Sequence, residues 1–470
     1  MEDTSACPFE ATRSQASSES SSTYTTPHQD KTSTTTESTS YLQSQLSMVK
    51  ESPELSRLEQ LPPELRFSIL TTLNLDQVKN LIKSCPTFYQ QYRHDRNFIL
   101  GSALHTTLGS IAVDAYAVHL TSPAKFDHAH PEDAIPRFLK DYQRLRSSLD
   151  FSLLEKGLTG NDMSDLAVFY RFVVRPFTKM YKNWAFTNIA NEFEDPKTAA
   201  RNPPLSPTEE MRIMRALYRF QLWCNLFGHS DAGFVEVRIL DMFFGLYEPW
   251  EVEEINSVYS FATDGFYTDL PLLWEWDVSN VRIFAADEFY VEFESTYRGA
   301  QKEPGGKECM KVKCIFHGLE MLPTPSTQLN ALYISLFNTI NPCEYSCYSR
   351  LRRVLRQDTY VDRRIHYPSP RDQRERDQEP FPFKGDDPAQ PPVAWTQTWK
   401  DEYSNVFGGF MPESTQEWGL MMWDEARFRD FGFYDVVWYT CRDKWGGNDP
   451  RERFREEDDQ EDSVDDWYWY

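Results

Sequence analysis

Cys309, Cys314, His317, Cys343 and Cys347 form the densest group of metal-competent side chains in the sequence. Thiolate and imidazole both suit a tetrahedral zinc ion, so four of the five could in principle build a structural site. The spacing is CxxxxC, then His317, then a long gap to CxxxC, without paired CxxC knuckles. Phe316, Leu319, Ile334, Leu336 and Phe337 surround them with ordinary core patterning, and free cysteines are among the most buried residue types. The expectation is therefore core thiols, with no metal and no cofactor. His128 and His130 in FDHAH read as surface-loop histidines. GHSDAG at 228–233 imitates a nucleophile elbow around Ser230, but Ala232 replaces the second glycine and a helical pattern, not a strand, precedes it. The sequence contains no GxxxxGK[ST], no GxGxxG after a strand and no HExxH. The motif reading is a non-enzyme.

The elements around these residues read as helices. SPTEEMRIMRALYRFQLWCNLFG at 206–228 carries a capping box in Ser206 and Glu209, Pro207 at the first helical position and Gly228 as a stop. Arg212, Arg215 and Arg219 share one stripe of it, and apolar residues fill most of the remainder. This helix should be central to the core. Pro249 opens another, with Glu251, Glu253 and Glu254 in its first turns and Ile255, Val258, Tyr259 and Ala262 on one face. Helical patterns also cover roughly 96–120, 132–150 and 163–190. DEFYVEFESTY at 287–297 alternates weakly and suits either a strand or a helix. EWGLMMWDEARFRDFGF at 417–433 reads as a helix docking on the body through Leu420, Trp423, Arg427 and Phe428.

The chain has 470 residues, 40% of them hydrophobic and 15% aromatic, which is ample for a folded body. Residues 1–54 are rich in Ser and Thr and poor in aliphatics, so they read as a disordered arm. Residues 366–400, including HYPSPRDQRERDQEPFPFKGDDPAQPPV, read as a loop or linker, and 447–470 as an acidic tail. Between them lie a body at 99–365 and a Trp-rich helical segment at 401–446 packing back on it. A net charge of −23 disfavours nucleic acid and anionic membrane surfaces as partners. The N-terminus lacks a secretory pattern and no apolar run reaches the ~18–20 residues of a membrane span, giving the expectation of an intracellular protein, in cytoplasm or nucleus.

LEQLPPELRFSIL at 58–70 is apolar around much of its circumference. Pro62 and Pro63 suit a helix start and Glu64 its first turn. Counting ~100° per residue from Leu65, Ile69, Leu73, Leu70 and Phe67 spread over more than half of the helix. Asn74 or Asp76 can cap a second helix whose Val78, Leu81, Ile82 and Cys85 follow the i, i+3, i+4, i+7 rule, and Pro86 restarts the chain.

This stretch, LPPELRFSILTTLNLDQVKNLIKSCPTFYQQY, resembles an F-box, with Pro86 and Phe88 where many F-boxes carry basic residues and Trp. The resemblance covers about 57–96. The later segments RALYRFQLWCNLFG, EPWEVEEINSVYSF and WGLMMWDEARF are similar to a group of filamentous-fungal F-box-like proteins. The fold expected is mainly α: a small F-box-like helical module at 55–98, then a large irregular helical domain between disordered tails. What the resemblance implies is a non-catalytic substrate receptor, attached through a Skp-type adaptor to a cullin–RING ubiquitin ligase and holding an unidentified protein substrate. Leu61, Pro62, Glu64, Leu65, Ile69, Leu70, Leu73, Leu81, Cys85 and Phe88 would then be the adaptor-binding residues, shared between the bundle interior and the adaptor groove. The alternatives are an F-box-like interaction scaffold outside any ligase and, behind it, an enzyme without a recognisable motif.

Overall fold

Prolines and one asparagine set the first three helices. In the computed structural model, residues 56–122, 125–127, 129–148, 157–193, 203–227, 233–268 and 350–455 are described. Helix α1 (Pro63–Thr72) starts at the Pro62-Pro63 pair, where a missing N–H costs nothing. Asn74 caps α2 (Leu75–Ser84): its side chain accepts from the Gln77 N–H at 2.9 Å, while Gln77 accepts from the Asn74 N–H at 3.0 Å. Pro86 then opens α3 (Pro86–His94). Leu70, Val78, Ile82, Phe88 and Tyr92 are buried between these helices and α4 (Arg96–Leu108).

The expected module boundary at 98 falls inside α4, and this is corrected here. Phe98 lies 5.2 Å from Phe67 of α1, ring centre to ring centre, and Thr107 accepts the otherwise unpaired Leu75 N–H. The same helix donates from Arg96 to Ser164 of α7 (Gly160–Phe169) at 3.0 Å. The described residues from Arg57 onward form one unit, with the opening bundle as part of it. Asp76 accepts from both Arg171 (3.1 Å) and Arg175 (2.7 Å), fastening α2 to the segment that follows α7.

A 3-10 turn at Gly109–Ile111 separates α4 from α5 (Ala112–Leu120). Arg96–Leu120 is long and apolar enough to cross a membrane by length and composition, and 56% of its most apolar window is already buried in the protein. Helix α6 (Pro131–Ser148) follows the expected span. The expected helix at 163–190 is instead α7, a π-turn at Tyr170–Val174 and α8 (Arg175–Glu192). Pro176 has no N–H for the carbonyl four residues back, and its ring crowds that carbonyl, so the ladder widens just before it.

Helix α9 (Pro207–Phe227) is buried along most of its length, as its pattern required. Its cap forms as read: Ser206 N–H donates to Glu209 at 2.9 Å, and Glu209 N–H to Ser206 Oγ at 3.1 Å. Helix α10 (Glu236–Met242) leads to α11 (Pro249–Thr268), which lies along α9. The chain returns as α12 (Arg350–Val354), α13 (Gln357–His366) and α14 (Pro370–Arg376), then α15 (Val393–Thr398), α16 (Glu413–Glu417), α17 (Glu425–Asp430) and α18 (Phe433–Lys444). The described residues contain no strand, only an isolated antiparallel bridge between Pro380 and Glu402.

Three expectations change. Residues 366–400 are not a loose linker: Ser369 and Asp372 cap α14, Asp372 pairs with Arg363 and Glu375 with Arg364, and Trp395 and Trp399 are fully buried. Mutual neutralisation lets so polar a stretch pack. The start of the expected acidic tail also packs, since Arg451 and Phe454 are buried, Phe454 against Tyr360 and Phe410. The Trp-rich segment docks as expected, with Leu420, Trp423 and Phe428 buried, but as short pieces. Gly419, at φ +63°, ends α16 where an added Cβ would meet Tyr181 Oη at 2.8 Å. Residues 1–54, most of GHSDAG, the 287–297 segment and His128 lie outside the described residues.

Candidate interaction surface

The ten residues expected to meet an adaptor divide by burial. Leu70, Cys85 and Phe88 are interior and hold the bundle together. Ile69, Leu73 and Leu81 are half-buried against the same core. Leu61 is half-buried, while Pro62, Glu64 and Leu65 are exposed. Leu65 is 51% exposed and Leu58, which the pattern did not single out, is 44% exposed. Leu58 and Leu65 lie seven residues apart at the start of α1, while other exposed large apolar side chains, Phe98, Val235, Ile365 and Tyr439 among them, lie in later parts of the chain. Two side chains hold the turn that carries them. Arg66 Nη1 donates to the carbonyls of Glu59 and Leu61, each at 3.0 Å, and the Cys85 thiol donates to Glu59 Oε1 at 3.2 Å.

In the helical body, the arginine stripe of α9 meets carboxylates of α11 and Asp424. Arg215 grips Glu254 with two N–H groups at 2.6 and 2.7 Å, and Arg219 donates to Glu251 at 2.7 Å. Arg212 donates to Asp424 at 2.8 Å, and Arg427 grips Glu209 with two N–H groups at 2.6 Å. Burial pushes the Glu251 carboxyl up, but Arg219, Arg146 and Arg215 outweigh it and hold it well below the usual range. The sequence pattern shows the arginine stripe and the glutamates in the first turns of α11, but not their pairing.

Glu253 is different. It is buried and accepts from the Gly408 N–H at 2.5 Å and from Gln416 at 3.3 Å. Burial dominates these bonds and that from Asn256, and pushes its carboxyl up to about 7. Its three partners also line a groove of 1090 Å³ between α11, α13 and α16. Ion pairs Arg352–Glu413 and Arg356–Asp358 sit on that groove. Ser260 donates to Gln416 and Thr263 to a carbonyl of its own helix, so neither hydroxyl faces a base.

His119, Asp162 and Asp165 bring ligand atoms within 4.8 Å of one another. Lys125 contacts both His119 Nε2 (2.6 Å) and Asp162, so an ammonium already supplies the positive charge. Lys125, then Thr159 and His119, hold the Asp162 carboxyl well below the usual range. The five residues of the zinc reading, Cys309, Cys314, His317, Cys343 and Cys347, all lie outside the described residues. His130 is exposed, with Asp127 3.5 Å away. Among the described residues, Cys85, Cys224 and Cys441 are buried thiols outside any disulfide, and burial pushes Cys441 up to about 12. No protein-family model, curated protein or solved structure matches the chain.

Proposed function

We propose that the chain is an F-box-type substrate receptor: the start of α1 docks on a Skp-type adaptor, through it on a cullin–RING ligase, and the helical body holds a protein substrate. The observation that carries this reading is the exposure of Leu58 and Leu65 on a bundle whose interior is already filled by Leu70, Val78, Ile82 and Phe88. These leucines have little intramolecular use. Covering them and Leu61 with an apolar groove removes the remaining surface from water, at ~25 cal/mol per Å² before the costs of association. The receptor itself does no covalent chemistry. It raises the effective concentration of substrate lysines near the charged ubiquitin carrier.

The test is gel filtration of the purified full chain with a purified Skp-type adaptor and the adaptor-binding half of a cullin. Co-elution of all three, lost in Leu58→Asp/Leu65→Asp, is the expected result. A folded chain that elutes alone refutes the receptor reading and leaves an interaction scaffold outside a ligase as the better account.

A further inference from the structure

We infer that Arg66 and Cys85 are positioning residues that preform the docking edge Leu58–Leu61–Leu65 before any partner arrives. This inference rests on the adaptor reading above. Within the turn at 58–61, the Leu61 N–H reaches the Leu58 carbonyl at a long 3.4 Å. Pro62 and Pro63 follow and have no N–H to add. The side-chain clamps are shorter. One guanidinium nitrogen of Arg66 bridges the Glu59 and Leu61 carbonyls at 3.0 Å each, tying the turn to the first turn of α1. The Cys85 thiol reaches Glu59 Oε1 from the junction of α2 and α3.

The clamp also sets the charge of the edge. Arg66 directs its guanidinium back at the turn, while Glu64 is exposed beside Leu65. Exposed Arg57 stands beside Leu58 as Glu64 does beside Leu65, so the complementary partner surface is an apolar groove with a rim of mixed charge. Preordering removes backbone entropy that binding would otherwise have to overcome, ~1–2 kcal/mol for each residue fixed. Arg66 acts through the turn, so its effect should be on the free chain first and on binding second.

The test uses the full chain as wild type, Arg66→Met, Arg66→Lys and Cys85→Ala. Amide hydrogen exchange at 58–61 is measured without partner, and association with purified Skp-type adaptor by surface plasmon resonance. Arg66→Met should lose exchange protection at 58–61 and bind about tenfold to hundredfold more weakly, with slower association; Arg66→Lys should recover part of both. Cys85→Ala should show the smaller loss of protection. A variant Arg66→Met that loses protection yet binds as wild type overturns the positioning role while leaving the adaptor reading intact. Unchanged protection overturns the clamp itself. Weaker binding through faster dissociation alone, with protection retained, would make Arg66 a direct contact and overturn the inference. Failure of wild-type chain to bind marks instead the failure of the adaptor reading.

Discussion

Replacing Glu253 by Gln should change how stability responds to pH. Glu253 is buried, accepts hydrogen bonds from Gly408, Gln416 and Asn256, and has no cation among these partners. Its carboxyl moves from an ordinary 4.5 up to about 7, with burial as the main cause. An acid whose folded value is raised binds its proton more tightly in the folded chain. Its contribution to stability is complete below about 4.5 and is lost as pH rises through about 7. The interval is about 2.5 pH units, and at ~1.4 kcal/mol per unit the loss is about 3.5 kcal/mol, about 3 of it above pH 5. Glutamine keeps the shape without the charge. It can carry a fixed cost, because one of its own N–H groups replaces an acceptor, but a fixed cost cancels between two pH values. Urea unfolding of both proteins, followed by tryptophan fluorescence from pH 5 to pH 9, reads the difference. The variant should gain about 3 kcal/mol on wild type between the two ends. A difference that stays constant within ~0.5 kcal/mol across the range would refute the reasoning.

Three further outcomes follow from packing. Arg215→Met strands the buried Glu254 carboxylate and should destabilise by about 3–5 kcal/mol, with much of that recovered by adding Glu254→Leu; a double-mutant cycle in urea reads it. Gly408→Ala should cost about 1–3 kcal/mol or more in the same assay, because φ is +69° and the new Cβ would lie 2.5 Å from the Leu355 carbonyl oxygen. Leu70→Ala should cost about 2–5 kcal/mol, whereas Leu65→Ala should shift stability by less than ~0.5 kcal/mol, since only the first is interior.

The local signals were legible in the sequence where they depended on neighbours a few residues away. Asn74, Ser206 with Glu209, Pro86 and the 3.6 period of α9 all act where the pattern placed them. What spacing along one helix does not encode is the partner on another. Arg212, Arg215 and Arg219 were visible as a stripe, but their acids lie in α11 and at Asp424, more than 200 residues from Arg212. The 366–400 stretch is a loop only at about 377–392, and the helices on either side of it escape the pattern for the same reason. Its arginines and carboxylates look solvated one by one, and only the pairing of Arg363 with Asp372 and of Arg364 with Glu375 makes them packable. On α1 the pattern gave the helix but not its outward face. Leu70 and Leu65 are the same residue type, and burial by α4 separates interior from surface.

The central claim is that the start of α1 is an adaptor-docking edge. Its most direct test is the affinity of the purified full chain for a purified Skp-type adaptor, measured by calorimetry beside Leu58→Asp/Leu65→Asp, with both chains shown to be equally folded by circular dichroism. The account predicts one-to-one binding by wild type and at least a hundredfold loss in the variant, about 2.7 kcal/mol or more. Absent binding by folded wild type, or equal affinity of the two chains, would contradict it.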